Sequence, residues 1–238
     1  MIACSCAVCT SDDPRDKRTR VSCHVQYDDL SVLVDTGPEL RLQCIACDIQ
    51  RVDAVLMTHH HADHVAGLDD LRRFNWVQGT RLPVYGMPET LQRLREMFRY
   101  AFVDDPEYPS AKPDIDLIAL GGDVVLNGHR IVPIRLLHGE TPVMGYRFDK
   151  FAYCTDVSFI PEESMDRLRG LDVLVLDACR RRPHPTHFNV EQAVECARRI
   201  GARQTYFTHI AHELKHAETN AELPANMALG YDGQVIEL

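Results

Sequence analysis

The sequence has 238 residues, 45% of them hydrophobic and 26% charged, enough apolar material for one large core or two modest ones. A formal charge of −9 opposes a nucleic-acid backbone unless basic residues are gathered locally, and apolar runs such as Val173–Leu176 fall far short of the roughly 20 residues that cross a bilayer. These features exclude a disordered chain and predict a soluble, cytoplasmic one, because nine cysteines without a basic-then-apolar leader fit thiols and thiolate ligands in a reducing compartment.

No repeat or flexible linker interrupts the chain, so a single domain over residues 1–238 is expected, led by a polar segment of about residues 1–20 that holds Cys4, Cys6 and Cys9. Strands follow at Val21–Gln26 and Leu30–Val34, then a helix at Pro38–Cys47. A strand Val52–Met57 runs into the cluster His59–His64, after which helical spacing resumes at Leu68–Asn75 and Glu89–Phe102. Strands are next expected at Asp123–Leu126, His129–Leu137, Gly145–Phe148 and Phe151–Cys154, with Asn127-Gly128 as a hairpin turn. The second half alternates: helix Pro161–Leu168, strand Val173–Leu176, helix Val190–Ile200, strand Thr205–Phe207, helix Ile210–Ala221 and strand Gln234–Glu237. Two sheets with helices on their outer faces, an αββα sandwich, would bury both kinds of element. Cys44 and Cys47 are expected as two buried thiols on one helical face, and Phe74, Trp76 and Tyr85 as core.

The chemistry concentrates at His59-His60-His61-Ala62-Asp63-His64. In extended chain His59 and His61 point the same way, so they can share an ion, while Asp63 and His64 fall where the chain turns into a helix and can face a second. Gly67 would let that helix pack closely on the sheet. Imidazole nitrogen and carboxylate oxygen suit zinc, manganese or iron(II). Three more ligand-type residues, His138, Asp156 and His209, each follow the end of a strand, a usual address for a site. Cys4-x-Cys6-x-x-Cys9 with His212 could close a tetrahedral structural zinc shell, with His216 as a competing imidazole. The loop Asp177–Asn189 is rich in arginine and histidine; arginine offers paired donors to phosphate, and a histidine can protonate a leaving alkoxide.

His-x-His-x-Asp-His at His59–His64, with the later His138, Asp156 and His209, resembles the metallo-β-lactamase superfamily over nearly the whole chain. The resemblance implies that fold, with His59, His61 and His138 on one metal ion, Asp63, His64 and His209 on the other, and Asp156 bridging. Asp35, in Val34-Asp35-Thr36-Gly37, matches the superfamily's Asp-x-Gly element and would orient a ligand. The N-terminal cysteines and His212 narrow the likeness to the phosphoribosyl cyclic-phosphate phosphodiesterases of the PhnP type. That likeness implies a structural zinc on Cys4, Cys6, Cys9 and His212, and His187 as the catalytic histidine of the loop. It also implies a strand and Gly-rich turn ahead of the cysteines, which this sequence, beginning at Met1, does not carry.

The expected activity is hydrolysis of a small cyclic or nucleotide-like phosphodiester by two divalent ions, zinc or manganese with iron as an alternative. Asp63 and His187 are the expected catalytic residues, and Arg180 is expected on the substrate phosphate. The competing readings are a transfer-RNA 3′-processing nuclease, a thioester or lactone hydrolase, and a non-catalytic cofactor carrier of the same fold. A small phosphorylated substrate is the expected partner, with no membrane, nucleic acid disfavoured and room for a homodimer.

Overall fold

The computed structural model describes residues 1–103 and 111–238, and the chain divides into two compact units, Arg20–Gly128 and Met1–Thr19 with His129–Leu238. In the first, β1 (Cys23–Gln26), β2 (Ser31–Val34), β3 (Ala54–Leu56), β4 (Leu82–Gly86) and β5 (Ile115–Ala119) lie side by side in that order. β1 and β2 form an antiparallel hairpin; the other pairings are parallel. β2 and β3 are buried at every residue, which is why both read as unbroken apolar runs rather than alternating ones. Leu33, Val55, Val65, Leu68, Leu71 and Val84 belong to the core of this unit. β6 (Val124–Leu126) ends in Asn127-Gly128, both at positive φ (49° and 86°), the backbone that a two-residue hairpin turn of this kind requires.

The second unit carries β7 (His129–His138), β8 (Thr141–Phe148), β9 (Phe151–Cys154), β10 (Val173–Asp177), β11 (Gln204–Thr208) and β12 (Met227–Leu229). β7, β8 and β9 pair antiparallel in sequence, and β9, β10, β11 and β12 continue as parallel neighbours. Helices Glu162–Arg167, Val190–Ile200 and His216–Glu222 provide the connections. The helix Val190–Ile200 opens with a reciprocal cap, Asn189 accepting from the Gln192 N–H while the Gln192 side chain accepts from the Asn189 N–H. The elements are therefore two mixed sheets flanked by helices, as in the metallo-β-lactamase fold.

Several expectations are corrected. Residues 234–237 are not a strand: the last strand is β12, and Val235 is exposed where a paired strand would cover it. β4 and β5 have no counterpart among the expected elements; Pro83 and Gly86 disguise the first, and β5 has only Ile115 buried. The helix expected at Ile210–Ala221 begins only at His216. Arg18 captures the Ala211 and Leu214 carbonyls at 3.2 and 2.7 Å, and the Ala211 N–H donates to the Cys179 carbonyl, so this backbone is satisfied without helical pairing. The helix Leu40–Ala46 stops before Cys47, which is exposed, whereas Cys44 is buried. Phe74 is core, but Trp76 is 76% exposed beneath the Arg73 guanidinium. All nine cysteines are free thiols, and among the described residues no helix is long and apolar enough to cross a membrane.

Candidate functional site

In Arg20–Gly128, the apolar strand β3 delivers the chain to Thr58 and His59, both fully buried. The backbone then turns at His61 into the helix Ala62–Val65, which carries Asp63 and His64. Asp35 follows β2 and sits at φ 65°, a left-handed conformation uncommon outside glycine, asparagine and aspartate. Its buried carboxylate accepts the Thr58 N–H at Oδ1 and the Thr58 hydroxyl at Oδ2, each at 2.8 Å, and meets His64 Nδ1 at 2.8 Å. A carboxylate can only accept, so His64 bears its proton on Nδ1 and its lone pair on Nε2. The Thr58 hydroxyl has spent its single proton on Asp35, so at 3.0 Å it accepts from His59 Nδ1, and His59 too presents Nε2. One carboxylate thus fixes two imidazoles in the tautomer that binds metal.

His59 and His61 offer ligand atoms within 4.8 Å of each other, as do Asp63 and His64. Asp63 Oδ2 and His64 Nε2 lie 3.6 Å apart, a separation spanned by a cation with bonds of about 2.0–2.2 Å. Gly67 has its close approach to the turn after β2 rather than to a sheet: a Cβ there would fall 2.1 Å from the Gly37 carbonyl oxygen.

In the other unit the candidate residues stand at strand ends. His138 closes β7, Asp156 lies two residues beyond β9, Asp177 closes β10, and His209 follows β11; Asp156 and His209 both take φ 54°. His138 donates from Nδ1 to the Thr186 carbonyl at 2.7 Å, again leaving the lone pair on Nε2. Asp156 Oδ2 lies 3.6 Å from His209 Nε2, and Asp156, His187 and His209 present ligand-type atoms within 4.8 Å of one another. His187 is buried, donates from Nδ1 to Asp177 Oδ2 at 2.7 Å, and has ring neighbours in His138 and His209. Asp177 Oδ2 also accepts the Val157 N–H at 2.7 Å. Burial pushes the Asp177 carboxyl up, and the hydrogen bond from His187 opposes that shift. Asp177 and Thr58 escaped sequence reasoning as working residues; an aspartate at a strand end ten residues before a loop histidine was the available signal for the first.

Arg180 turns its guanidinium onto its own loop, donating to the carbonyls of Arg182 and Pro183, while Arg181 and Arg182 pair with Glu222 and Glu213. The same unit holds the cysteine cluster. Cys4, Cys6 and Cys9 Sγ lie 3.3, 3.4 and 3.8 Å from His212 Nδ1. A tetrahedral zinc with bonds of about 2.3 Å to sulfur and 2.0–2.1 Å to nitrogen sets that edge at about 3.6 Å, so this donor set fits a closed structural site. The Cys9 N–H and His212 hold the Cys6 thiol down at about 6, favouring the thiolate that ligation needs. His216 is not its rival: the donor group that converges is Cys4, Cys6, Cys9 and His212, while the His216 ring packs edge-on against Tyr231 and its backbone N–H donates to buried Asp16, which also pairs with Arg18.

The model of the Beta-lactamase superfamily domain matches residues 31–210, and the chain belongs to that family. Within it, a crystal structure described as a new diphosphatase from the PhnP family is 43% identical, with a TM-score of 0.92 over 98% of this chain and 89% of that one. The octanoyltransferase of Porphyromonas gingivalis is 35% identical over 98% of this chain but only 47% of its own length, so the chain spans about half of that relative. A ribonuclease Z of Mycolicibacterium gilvum is 26% identical over 93% of this chain and 88% of its own.

Proposed function

We propose that this chain is a dinuclear-metal phosphodiesterase acting on a small phosphodiester of the phosphoribosyl cyclic-phosphate type. The observation that carries the proposal is the pinning of His59, His64 and His138 through Nδ1, which leaves each with a lone pair on Nε2. The likeness to a PhnP-family diphosphatase supports the choice of phosphate chemistry.

On this reading His59, His61 and His138 would hold one ion and Asp63, His64 and His209 the other, with Asp156 as a further ligand, while Cys4, Cys6, Cys9 and His212 would hold a structural zinc. When bound, zinc or manganese at the first two sites, with iron as the alternative, supplies Lewis acidity and lowers the pKa of water toward neutrality. Asp35 sets the proton positions of His59 and His64. His187, protonated at Nε2, would hand that proton to the departing oxygen, with Asp177 holding the ring and stabilising the cationic form. Arg180 serves the substrate phosphate only after its guanidinium exchanges a loop carbonyl for a phosphoryl oxygen. The substrate is small and phosphorylated, and the acidic charge disfavours RNA as partner.

A second reading, acyl-thioester hydrolysis, is favoured by the octanoyltransferase likeness, which covers half of that protein. Turnover on ribose cyclic phosphate, 2′,3′-cyclic nucleotides, an acyl thioester and a lactone, with metal content measured on the same sample, separates the two. Hydrolysis of the thioester alone would overturn the phosphodiesterase proposal.

A further inference from the structure

The tract 210–215 has helical spacing and is not helical, and the group that opposes the helix comes from the other end of the chain. Arg18, with only 11% of its side chain exposed, donates to the Ala211 and Leu214 carbonyls at 3.2 and 2.7 Å and pairs with Asp16 Oδ1 at 3.2 Å. The same carboxylate oxygen, on a fully buried side chain, accepts the His216 N–H at 2.8 Å. In a continuous helix the Ala211 and Leu214 carbonyls would accept the Lys215 and Glu218 N–H groups, four residues on. Arg18 occupies those acceptors, and the helix begins at His216 instead.

The consequence falls on His209. Its backbone stands at φ 54°, a conformation that a histidine keeps only where its surroundings over-determine it. On one side the Ala178 N–H donates to the Thr208 carbonyl at 3.1 Å. On the other, residue 211 is gripped twice: its N–H donates to the Cys179 carbonyl at 2.8 Å, and its carbonyl, which also closes a turn with the Leu214 N–H, accepts from Arg18. His209 lies between these two fixed peptides. Its Nε2 stands 3.6 Å from Asp156 Oδ2, a separation at which two donors can share a cation. The cysteine cluster holds the same tract through His212, but Arg18 acts one residue nearer to His209.

We propose that Arg18 is a positioning residue for His209: by withholding the Ala211 and Leu214 carbonyls from the helix, it keeps this candidate ligand in its left-handed conformation, and the affinity of one active-site ion depends on it. This rests on the dinuclear-metal reading above, in which His209 is a ligand. Without the guanidinium the two carbonyls are released to the Lys215 and Glu218 N–H groups. The tract is then drawn into the helix His216–Glu222, and His209, relaxing to right-handed backbone, turns its ring away from Asp156.

The test titrates zinc and cobalt(II) into the metal-free protein, as wild type, as Arg18→Ala and as the double variant Asp16→Asn with Arg18→Met. The double variant removes both charges together, so that no buried carboxylate is left alone should alanine at position 18 prevent folding. Cobalt held by the cysteines is read separately, from its thiolate charge-transfer absorption. Each variant should lose about 10–100-fold in affinity for one of the two remaining ions, as for other groups that orient a metal ligand, and should keep the other ion and the cobalt–thiolate band. Guanidinium added at millimolar concentration should restore part of that affinity to Arg18→Ala, and ammonium, which lacks the planar fork of donors, should not. Unchanged affinity at every site would overturn the proposal, and so would equal weakening of every site, which assigns Arg18 to general stability. Wild type that binds cobalt only at the cysteines refutes the dinuclear reading itself, and the proposal falls with it.

Discussion

Replacing Asp35 by asparagine keeps its size and its left-handed backbone, which asparagine tolerates, and changes only what the side chain can accept. The Thr58 N–H can still reach Oδ1, but an amide nitrogen in place of Oδ2 accepts neither the His64 Nδ1 proton nor the Thr58 hydroxyl. His64 must move its proton to Nε2. The Thr58 hydroxyl, now accepting from the amide, donates to His59 Nδ1 and moves that proton to Nε2 as well. Residues that orient metal ligands each contribute about 10–100-fold in affinity, roughly 1.4–2.8 kcal/mol, and here one side chain governs two imidazoles, so a loss near 100-fold is expected. Asp35→Ala adds a different cost. It strands the buried Thr58 N–H, about 1–3 kcal/mol, and removes the short polar side chain that makes the left-handed backbone tolerable at this position. Calorimetric titration with zinc and with manganese, alongside melting of the metal-free proteins, separates the effects: asparagine should lose metal affinity with little change in metal-free Tm, and alanine should lose both. An asparagine variant that binds both ions as tightly as wild type would refute the tautomer argument.

Asp177→Asn should leave metal content intact but lower kcat at least tenfold on diesters with poor leaving groups, while a bis-aryl phosphate, whose leaving group needs no proton, is nearly spared; equal loss on both would deny His187 its acid role. His212→Ala should remove one zinc per chain by elemental analysis and expose the Cys4–Cys9 segment to limited proteolysis, whereas unchanged metal content would dismiss the structural zinc. Gly67→Ala should lower Tm by the equivalent of about 1–3 kcal/mol, since its β-carbon meets the Gly37 carbonyl and the Leu40 side chain. His24 and His216 are held below the ordinary imidazole pKa of about 6.5, first of all by burial, so the unfolded chain binds protons before the folded one does. Their stabilisation is complete above about pH 6.5 and is lost as pH falls through the folded values; the metal-free Tm should drop between pH 7 and 5.5, and His24→Gln with His216→Gln should flatten that slope.

The candidate donors are legible in the sequence because each ends or follows an apolar run: His59 after β3, His138 at the end of β7, His209 after β11. Strand β3 is legible for the same reason, as an unbroken run buried on both sides, whereas β4 is hidden by Pro83 and Gly86 inside a strand of the same sheet. Residues 210–215 keep helical spacing, yet Arg18, some two hundred residues earlier, takes their carbonyls, and periodicity has no access to a partner at that separation. The same limit separates a ligand from the group that makes it competent. Asp35 and Asp177 each stand at a strand's end, where spacing alone reads a turn cap; the imidazoles that give them work lie 29 and 10 residues along the chain. A metal motif can therefore be recognised from its donors while its basicity is set by carboxylates and carbonyls that only folding brings to Nδ1. Substitution at Asp35 and Asp177 accordingly tests the reading more severely than removal of any one ligand, because it leaves every donor of the motif in place.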